Sequence, residues 1–539
     1  MGPEKQSNLT LSPGTQEKST SGVTTPDLIT DEKEGRRSYQ PSLTSQTPDD
    51  APLEVFASGM TLIPIIIALV CSVLLVALDM TIIGTAIPKI TDEFDGLNMV
   101  SWYGSVYFMT FGGFQPASGK FFKYFPLKAS YLGSIFVFVI GSLICAVSQN
   151  SVTFVVGRAF AGVGAAGVST GAFTLITFVA EPKGNVEVVG ADKYSFWINL
   201  PVGSLSALLI FIFFKTPPQA APVKATWKEK FLQLDPLGVA LIMGGIISFI
   251  LAMENGGQKK AWNSSTVIGL LVGFVLIWAA FGFWEYYNND RAMLQRNVIS
   301  RRSVWQPSIF QFFFAAGYFV LLYYLPIYFQ SVDNRTAISS GVLNLPLVLS
   351  LALGSTFAGI VVMKTGYAAA FMMAGVVLST ISMGLIYTFD IGTSVATWIG
   401  YQTLYGFALG MTFQMGITIA QANSTPEIMS SVTATVLFFQ TVGGAFSTSA
   451  AQSGFVNRVL TTLAKTAPNI SPEMVIGTGA TQIRHAFPAE QVPEIVLAYM
   501  EGIKVTLILA LSLTATACVL VVFVPRKRLN TEAVQGAVA

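Results

Sequence analysis

Charged residues are scarce in this chain. Only 11% of its 539 residues are Asp, Glu, Lys or Arg, whereas soluble proteins carry about a quarter. A chain this long and this poor in charge cannot clothe its surface for water, so a set of soluble domains is excluded. Histidine and cysteine are rarer still. His485 stands alone, and Cys71, Cys145 and Cys518 lie far apart in apolar runs, with no C-x-x-C pair. No Cys/His metal centre is expected, and the three thiols read as buried free cysteines. The chain also lacks a G-x-x-x-x-G-K-[ST] loop, since "SGKFF" has neither the hydroxyl nor the framing helix. That excludes ATP-driven transport by this chain alone. No nucleophile, base and orienter fall together, so an enzyme is not expected and no cofactor is called for. A net charge of +2 points to no nucleic-acid partner.

Residues 1–57 have no apolar core followed by a cleavage site and are rich in Ser, Thr, Pro and charge. They read as a disordered cytoplasmic tail and not a signal peptide.

What the chain has in abundance is apolar sequence: 52% of its residues are hydrophobic and the mean hydropathy is +0.60. Spanning a bilayer takes about 20 mostly apolar residues. Runs near 60–85, 99–119, 129–148, 152–179, 196–214, 236–253, 266–284, 306–329, 341–362, 368–388, 396–420, 431–452 and 504–524 are therefore expected to be transmembrane α-helices, which satisfy their own backbone in lipid.

Basic short loops mark the cytoplasmic side. "GKFFKYFPLK", 119–128, carries three lysines and no acid, and "FKTPPQAAPVKATWKEK", "DRAMLQRNVISRRS" and "PRKRLNTE" are basic too. The loop "PKITDEFDGLN" is acidic, hence external. These assignments collide at the run 196–214, which has an inside loop on both sides. One more crossing is required between Thr177 and Tyr194, yet Glu181, Lys183, Glu187, Asp192 and Lys193 each oppose it by ~2.5–3.5 kcal/mol at a helix centre.

A weak repeat divides the remainder. "GKFFKYFPLK" follows the second run and "GIVVMKTGY", from Gly359, ends the run two places into the second block. With 236–284 set aside as an inserted pair, five runs precede it and six follow. Transporters are commonly built from such repeated halves, with the substrate between them.

Several motifs carry a family resemblance. "LDMTIIGTAIPKI", 78–90, resembles the first-helix motif of the fourteen-helix drug:proton antiporter branch of the major facilitator superfamily, and "GRAFAGVGAAG", 157–167, resembles its fourth-helix motif. "FWINLPVG", "FFQTVGGAFSTSAAQ" and "GATQIRHAF" are similar to the entry of helix six, a late helix and the last external loop of fungal multidrug and toxin efflux pumps. The likeness covers residues 60–525. The chain departs from it at Lys123 and Pro126, where the family's cytoplasmic turn has Asp and Gly, and in lacking helix five with its Gly-Pro antiporter motif.

The resemblance implies an all-α membrane protein of two pseudo-symmetric halves plus two central helices, with thirteen recognisable transmembrane helices where fourteen are expected. The expected division is an N-terminal half, 58–214, its fifth helix missing near 177–195; a linker, 215–235; the central pair, 236–284; a basic loop, 285–305; a C-terminal half, 306–525, with a long external loop, 453–503; and a cytoplasmic tail, 526–539.

Asp79 lies inside the first run, and an intramembrane carboxylate is a functional candidate unless it merely sits at the helix end. Arg158 is the sole formal charge from Ser151 to Ala180; burial would force it to find an acceptor. The resemblance gives it a part in proton coupling with Asp79. Gly157, Gly162, Gly164 and Gly167, with Gly443 and Gly444, read as helix-packing positions. Gly119, Lys120, Lys123 and Lys128 are candidates for a cytoplasmic gate, although the lysines most simply set orientation. Gln311, Tyr324, Gln414 and Gln440 are cavity candidates for an amphipathic, mostly uncharged substrate, or ordinary interhelical hydrogen bonders. Asn263, Asn334 and Asn469 begin N-x-[ST] sequons in loops expected outside.

The function expected is proton-coupled efflux of drugs, toxins or secondary metabolites by alternating access. Partners would be the bilayer, protons and a small organic substrate, with the chain acting as a monomer in the plasma membrane. Two alternatives stay open: a non-transporting or mis-spliced remnant of such a pump, and a vacuolar amino-acid or siderophore carrier.

Overall fold

The computed structural model describes residues 62–94, 100–179, 194–216, 221–425, 428–478, 483–526 and 528–529. The expectations for 1–57, for 180–193 and for the last ten residues lie outside the described residues. Nineteen α-helices occur within them: α1 Leu62–Phe94, α2 Val100–Tyr124, α3 Leu127–Ala146, α4 Ser151–Val179, α5 Tyr194–Phe213, α6 Trp227–Gln233, α7 Pro236–Asn255, α8 Ser265–Asn288, α9 Arg296–Ile299, α10 Arg302–Ser331, α11 Ala337–Leu343, α12 Leu345–Thr365, α13 Ala368–Tyr387, α14 Val395–Phe413, α15 Met415–Ala422, α16 Met429–Thr466, α17 Pro472–Gly477, α18 Ile483–Ala486 and α19 Val492–Leu520. Thirteen of them are nineteen residues or longer, long enough at ~1.5 Å per residue to cross hydrocarbon. They coincide with the thirteen apolar runs. No strand occurs among the described residues.

The halves repeat in their packing. α4 lies on α2 and α3 as α14 lies on α12 and α13, and α5 lies on α1 and α3 as α19 lies on α10 and α13. Each half has its own apolar core, around Tyr131, Phe138 and Ala165 in the first and around Phe314, Met383 and Leu409 in the second. α2 and α16 join the two halves, with Phe108, Val442 and Ala445 in the seam.

The central pair is pinned at both ends. Asp235, at φ +50°, caps α7 by accepting from Gly238 N, an arrangement worth about 1 kcal/mol. The same carboxylate accepts from Trp284 Nε1 at 2.8 Å and Met293 N at 3.1 Å, holding α8 and the following chain to the start of α7. At the other end Asn457 Nδ2, on α16, donates to Gly256 O at 3.0 Å. α8 otherwise presents Val272, Val275, Leu276 and Phe283 outward, as a lipid-facing helix does.

Two of the expected loops are largely helical, and the 215–235 linker holds one short helix. The external loop 453–503 is occupied by the end of α16, by α17 and α18, and by the start of α19. Asn457, Arg458 and Glu501 make these segments too polar to read as membrane, yet they lie within α16 and α19, and Arg458 pairs with Glu501 at 2.5 Å. The 215–235 linker contains α6, which Thr226 caps. The basic loop 285–305 contains α9 and the first turn of α10.

The directions of α4 and α5 resolve the collision in the charge pattern. α5 ends on the lysine-bearing side, where Lys128 Nζ donates to Phe211 O and Phe214 O at 2.8 Å each. It starts on the other side, where Asn199 reaches Ser142 at 3.2 Å, near the far end of α3. α4 starts on that same far side, with Ser151 hydrogen-bonded to Tyr103. Twenty residues on, Gly171 sits against Phe122 and Tyr131 at the lysine side. Consecutive long helices α4 and α5 thus run the same way, and only residues 180–193 separate an end on the lysine-bearing side from a start on the far one.

Candidate functional site

Asp79 and Arg158, 79 residues apart in sequence, form a fully buried ion pair. Arg158 Nη1 donates to Asp79 Oδ2 at 2.5 Å, and both side chains have no exposure. The register follows from helix direction: α1 climbs outward and α4 descends, so Asp79, late in α1, meets Arg158, two turns into α4. At that point Arg158 lies ~10 Å along the helix from Ser151, within the apolar span and not at its rim.

The surroundings hold the guanidinium on several sides. Arg158 Nε donates to Tyr103 O at 3.1 Å and Nη1 also to Asp79 O at 3.2 Å. Its plane lies 4.2 Å from the ring centroid of Tyr107, a cation–π contact that gains strength without water. Asp79 Oδ1 and Arg158 Nη2 are buried with no hydrogen-bond partner among the described residues. Unused capacity next to a charge is costly, and a proton on Asp79 would discharge the carboxylate and free Arg158. Tyr323, from α10 in the other half, donates to Met80 O at 3.4 Å, and its neighbour in the seam is Phe108, 6.2 Å away centroid to centroid. Tyr103 and Tyr107 are one helical turn apart, a spacing visible in the sequence but without meaning until Arg158 is placed between them and α1.

The gate candidates separate. Gly119 is pressed on α16, where a Cβ would stand 2.6 Å from Ala434 Cβ and 2.9 Å from Ser430 O. Lys120 is buried and donates to Gln233 Oε1 at 3.3 Å and Asp290 O at 3.2 Å, tying α2 to the base of the central pair. Nearby, Arg291 and Glu229 pair at 2.7 Å. Lys123 lies 5.9 Å from the ring of Tyr124. Lys128 is not brought to this cluster: it caps the last carbonyls of α5, a role open to any lysine at a helix C-terminus.

The cavity candidates separate too. Gln311 Nε2 donates to Phe413 O at 3.0 Å and Gln440 Oε1 at 3.3 Å, and Gln414 follows Phe413. Gln311 Oε1 and Gln414 Oε1 are buried without a partner among the described residues. Tyr324 stands thirteen residues along α10 from Gln311, ~20 Å away along the axis. It donates to Gln452 Oε1 at 2.9 Å and packs on Phe455, so it belongs to the outer seam of α10 and α16.

The packing glycines close helix pairs. A Cβ on Gly157 would stand 2.8 Å from Cys145 N; Gly164 and Gly167 face Phe138 and Ser134 of α3, Gly162 faces α2, and Gly443 and Gly444 face Phe312 and Phe319 of α10. Asn263, Asn334 and Asn469 are all exposed, at helix ends opposite the lysine turn.

A Major Facilitator Superfamily model matches residues 69–191 and 193–448, its two pieces meeting at residue 192. An MFS-type transporter of a Penicillium species is 47% identical, over 96% of this chain and 96% of its own length. A dehydrocurvularin exporter of Aspergillus terreus is 36% identical, over 93% of each. The solved structure of a proton:xylose symporter of the superfamily aligns with a TM-score of 0.54 at 13% identity, over 88% of this chain and 98% of that one, a likeness of fold. The Penicillium alignment has 545 positions, whereas 96% of 539 residues is about 517, so about 28 positions have no residue in this chain. The chain belongs to the major facilitator superfamily and is a multi-pass, efflux-pump-like membrane transporter, not an enzyme.

Proposed function

We propose that the chain exports small, amphipathic, mostly uncharged organic molecules in exchange for protons. The observation that carries this reading is the Asp79–Arg158 pair, a buried carboxylate and guanidinium sealed from water at 2.5 Å and linked through Met80 to Tyr323 in the opposite half. A proton arriving on Asp79 cancels its charge, releases Arg158 and loosens the outer contact of α1 with α10. Loss of the proton restores the pair. Alternating access then follows from rocking 58–214 against 306–525 around the α2–α16 seam, with 236–284 riding on it.

The amides of Gln311, Gln414 and Gln440 form the substrate-facing polar patch, where the unpaired carbonyl oxygens of Gln311 and Gln414 accept from a ligand donor. Gly119, Lys120 and Lys123 make the cytoplasmic gate, and Asn263, Asn334 and Asn469 are the external glycosylation positions. The plasma membrane is the site of action, and the chain works as a monomer. The exporter named among the relatives supports a secondary metabolite as the class of cargo.

The test reconstitutes the full chain into vesicles and follows uptake of a fluorescent lipophilic dye into an acidified lumen. Uptake that collapses with a protonophore and with Asp79→Asn is the expected result. Uptake indifferent to both overturns proton coupling, and no uptake by any preparation overturns export. The last outcome would favour the second reading, a shortened and non-transporting form, which the about 28 unmatched positions support.

A further inference from the structure

The packing repeat leaves one place empty. Among the long helices of the C-terminal half, α16 is the fifth; it lies between α10 and α19 and presses on α2 of the other half. In the first half α5 takes the place of α19, because it packs on α1 and α3 as α19 packs on α10 and α13. No described helix of the first half takes the place of α16. The helix that α16's counterpart would cover is α12, the second of its half, and among the described residues α12 has no packing on a first-half helix comparable to that of α2 on α16.

Gly119 and Gly359, which begin the two repeated turns, measure the difference. A Cβ on Gly119 would collide with Ala434 and Ser430 of α16, whereas a Cβ on Gly359 would meet nothing within 4 Å. One and three turns before Gly119, Gln115 and Phe108 are buried; the matching Ser355 and Val348 are only half-buried. The same holds for Gly112 and Ala352.

The chain connectivity agrees. Val179 ends on the lysine-bearing side and Tyr194 begins on the far side, with fourteen residues between them. Fourteen residues rise ~21 Å as a helix, short of the ~30 Å hydrocarbon core. Extended, they reach ~46–50 Å but carry an unsatisfied backbone together with Glu181, Lys183, Glu187, Asp192 and Lys193. The family model breaks at residue 192, and about 28 positions of a 47%-identical relative go unmatched. That is enough for one spanning helix.

We infer that the face of α12 bearing Val348, Ala352 and Gly359 is the seat of a membrane-spanning helix, antiparallel to α4 and α5, which this chain lacks between Val179 and Tyr194. By the repeat, that helix would lie against α1 and α5 as α16 lies against α10 and α19. Without its helix, lipid reaches the flank of the seam between the halves. This inference stands on packing and connectivity and does not depend on proton exchange or on the cargo.

The test uses the full chain with Cys71, Cys145 and Cys518 replaced by Ala, in a lipid bilayer, with a nitroxide on Ala352→Cys, Gly359→Cys or Leu353→Cys. Leu353 is 66% exposed and points away from the proposed seat. Each is compared with the same chain carrying, between Val179 and Tyr194, the residues that the Penicillium relative has between its equivalents. Collision with dissolved oxygen is expected to be high at all three sites in the parent. In the graft it should fall severalfold at Ala352→Cys and Gly359→Cys and stay high at Leu353→Cys. No fall at the first two, an equal fall at all three, or a graft that does not span would each overturn the seat. Dye uptake, read separately, bears on export alone.

Discussion

The hydroxyl of Tyr323 on α10 lies 3.4 Å from the carbonyl oxygen of Met80 on α1, one residue beyond Asp79. A side chain of one half therefore touches the backbone that carries the proposed proton site of the other. Tyr323→Phe keeps the ring and removes the donor, at a cost of about 0.5–1.5 kcal/mol for a net hydrogen bond. Thermal unfolding in detergent should change little, while the proton-driven rate of dye uptake falls with substrate affinity retained. An unaltered rate would mean that this contact plays no part in the cycle.

Buried pairs are fragile when halved. Arg158→Ala or Asp79→Ala leaves an uncompensated partner in an apolar site, expected to destabilise by about 3–5 kcal/mol. The double variant should recover part of that loss, because no charge remains unpaired. Arg158→Lys cannot reproduce the contacts to Asp79, Tyr103 O and the Tyr107 ring together, since a point-like ammonium lacks the planar fork. Melting temperatures of the four variants against the parent check the order.

Close helix packing separates two glycines. Gly157→Ala pushes a methyl group to 2.8 Å from Cys145 N and must part α3 from α4, so a clear drop in melting temperature is expected. Gly269→Ala, where nothing lies within 4 Å, should be neutral or stabilising by up to about 1 kcal/mol through helix propensity. Equal responses would contradict the packing described.

One contact at the end of the bundle away from the lysine turn depends on pH. Lys504 Nζ donates to Asp390 Oδ2 at 2.7 Å and Ile391 N to Asp390 Oδ1 at 2.8 Å. The lysine bond first, then the backbone donor, hold the Asp390 carboxyl below its usual range. A depressed carboxylate stabilises the fold above its unfolded value of about 3.9, and that stabilisation is lost as pH falls through the lower folded value. The small advantage of the parent over Lys504→Met in melting temperature should therefore hold at neutral pH and vanish in strong acid. The pair is largely exposed, so high salt should shrink the difference too.

Much of the fold was legible because lipid enforces a simple rule: each of the thirteen apolar runs lies on a long helix, although 396–420 is divided at Gln414 between α14 and α15. The expected 453–503 loop proved shorter, since Asn457, Arg458 and Glu501 look like loop residues until they pair or cap within α16 and α19. Asp79 and Arg158 stood out singly as charges in apolar runs. Their contact did not, because 79 intervening residues fix no distance without the helix directions. Tyr103, Tyr107 and Tyr323 gave no signal, aromatic residues being common in such runs. Asp235 was hidden for another reason: an acid before a proline reads as a helix cap, and only the tertiary fold adds Trp284 and Met293 N. Tyr324 was grouped with Gln311 by composition, although ~20 Å of helix separates them.

The Asp79–Arg158 pair also bears on how the membrane voltage enters. Joined, the two side chains sum to zero and feel no net force from a field across the bilayer. With a proton on Asp79, one positive charge remains inside the field at Arg158. A full transfer of such a charge is worth ~2.3 kcal/mol per 100 mV; the pair covers only a fraction of the thickness, and its share scales with that fraction. In the proposed exchange cycle, protonation would turn an electrically silent site into a voltage-sensitive one, so that the electrical and chemical parts of a proton gradient would act on the same two residues.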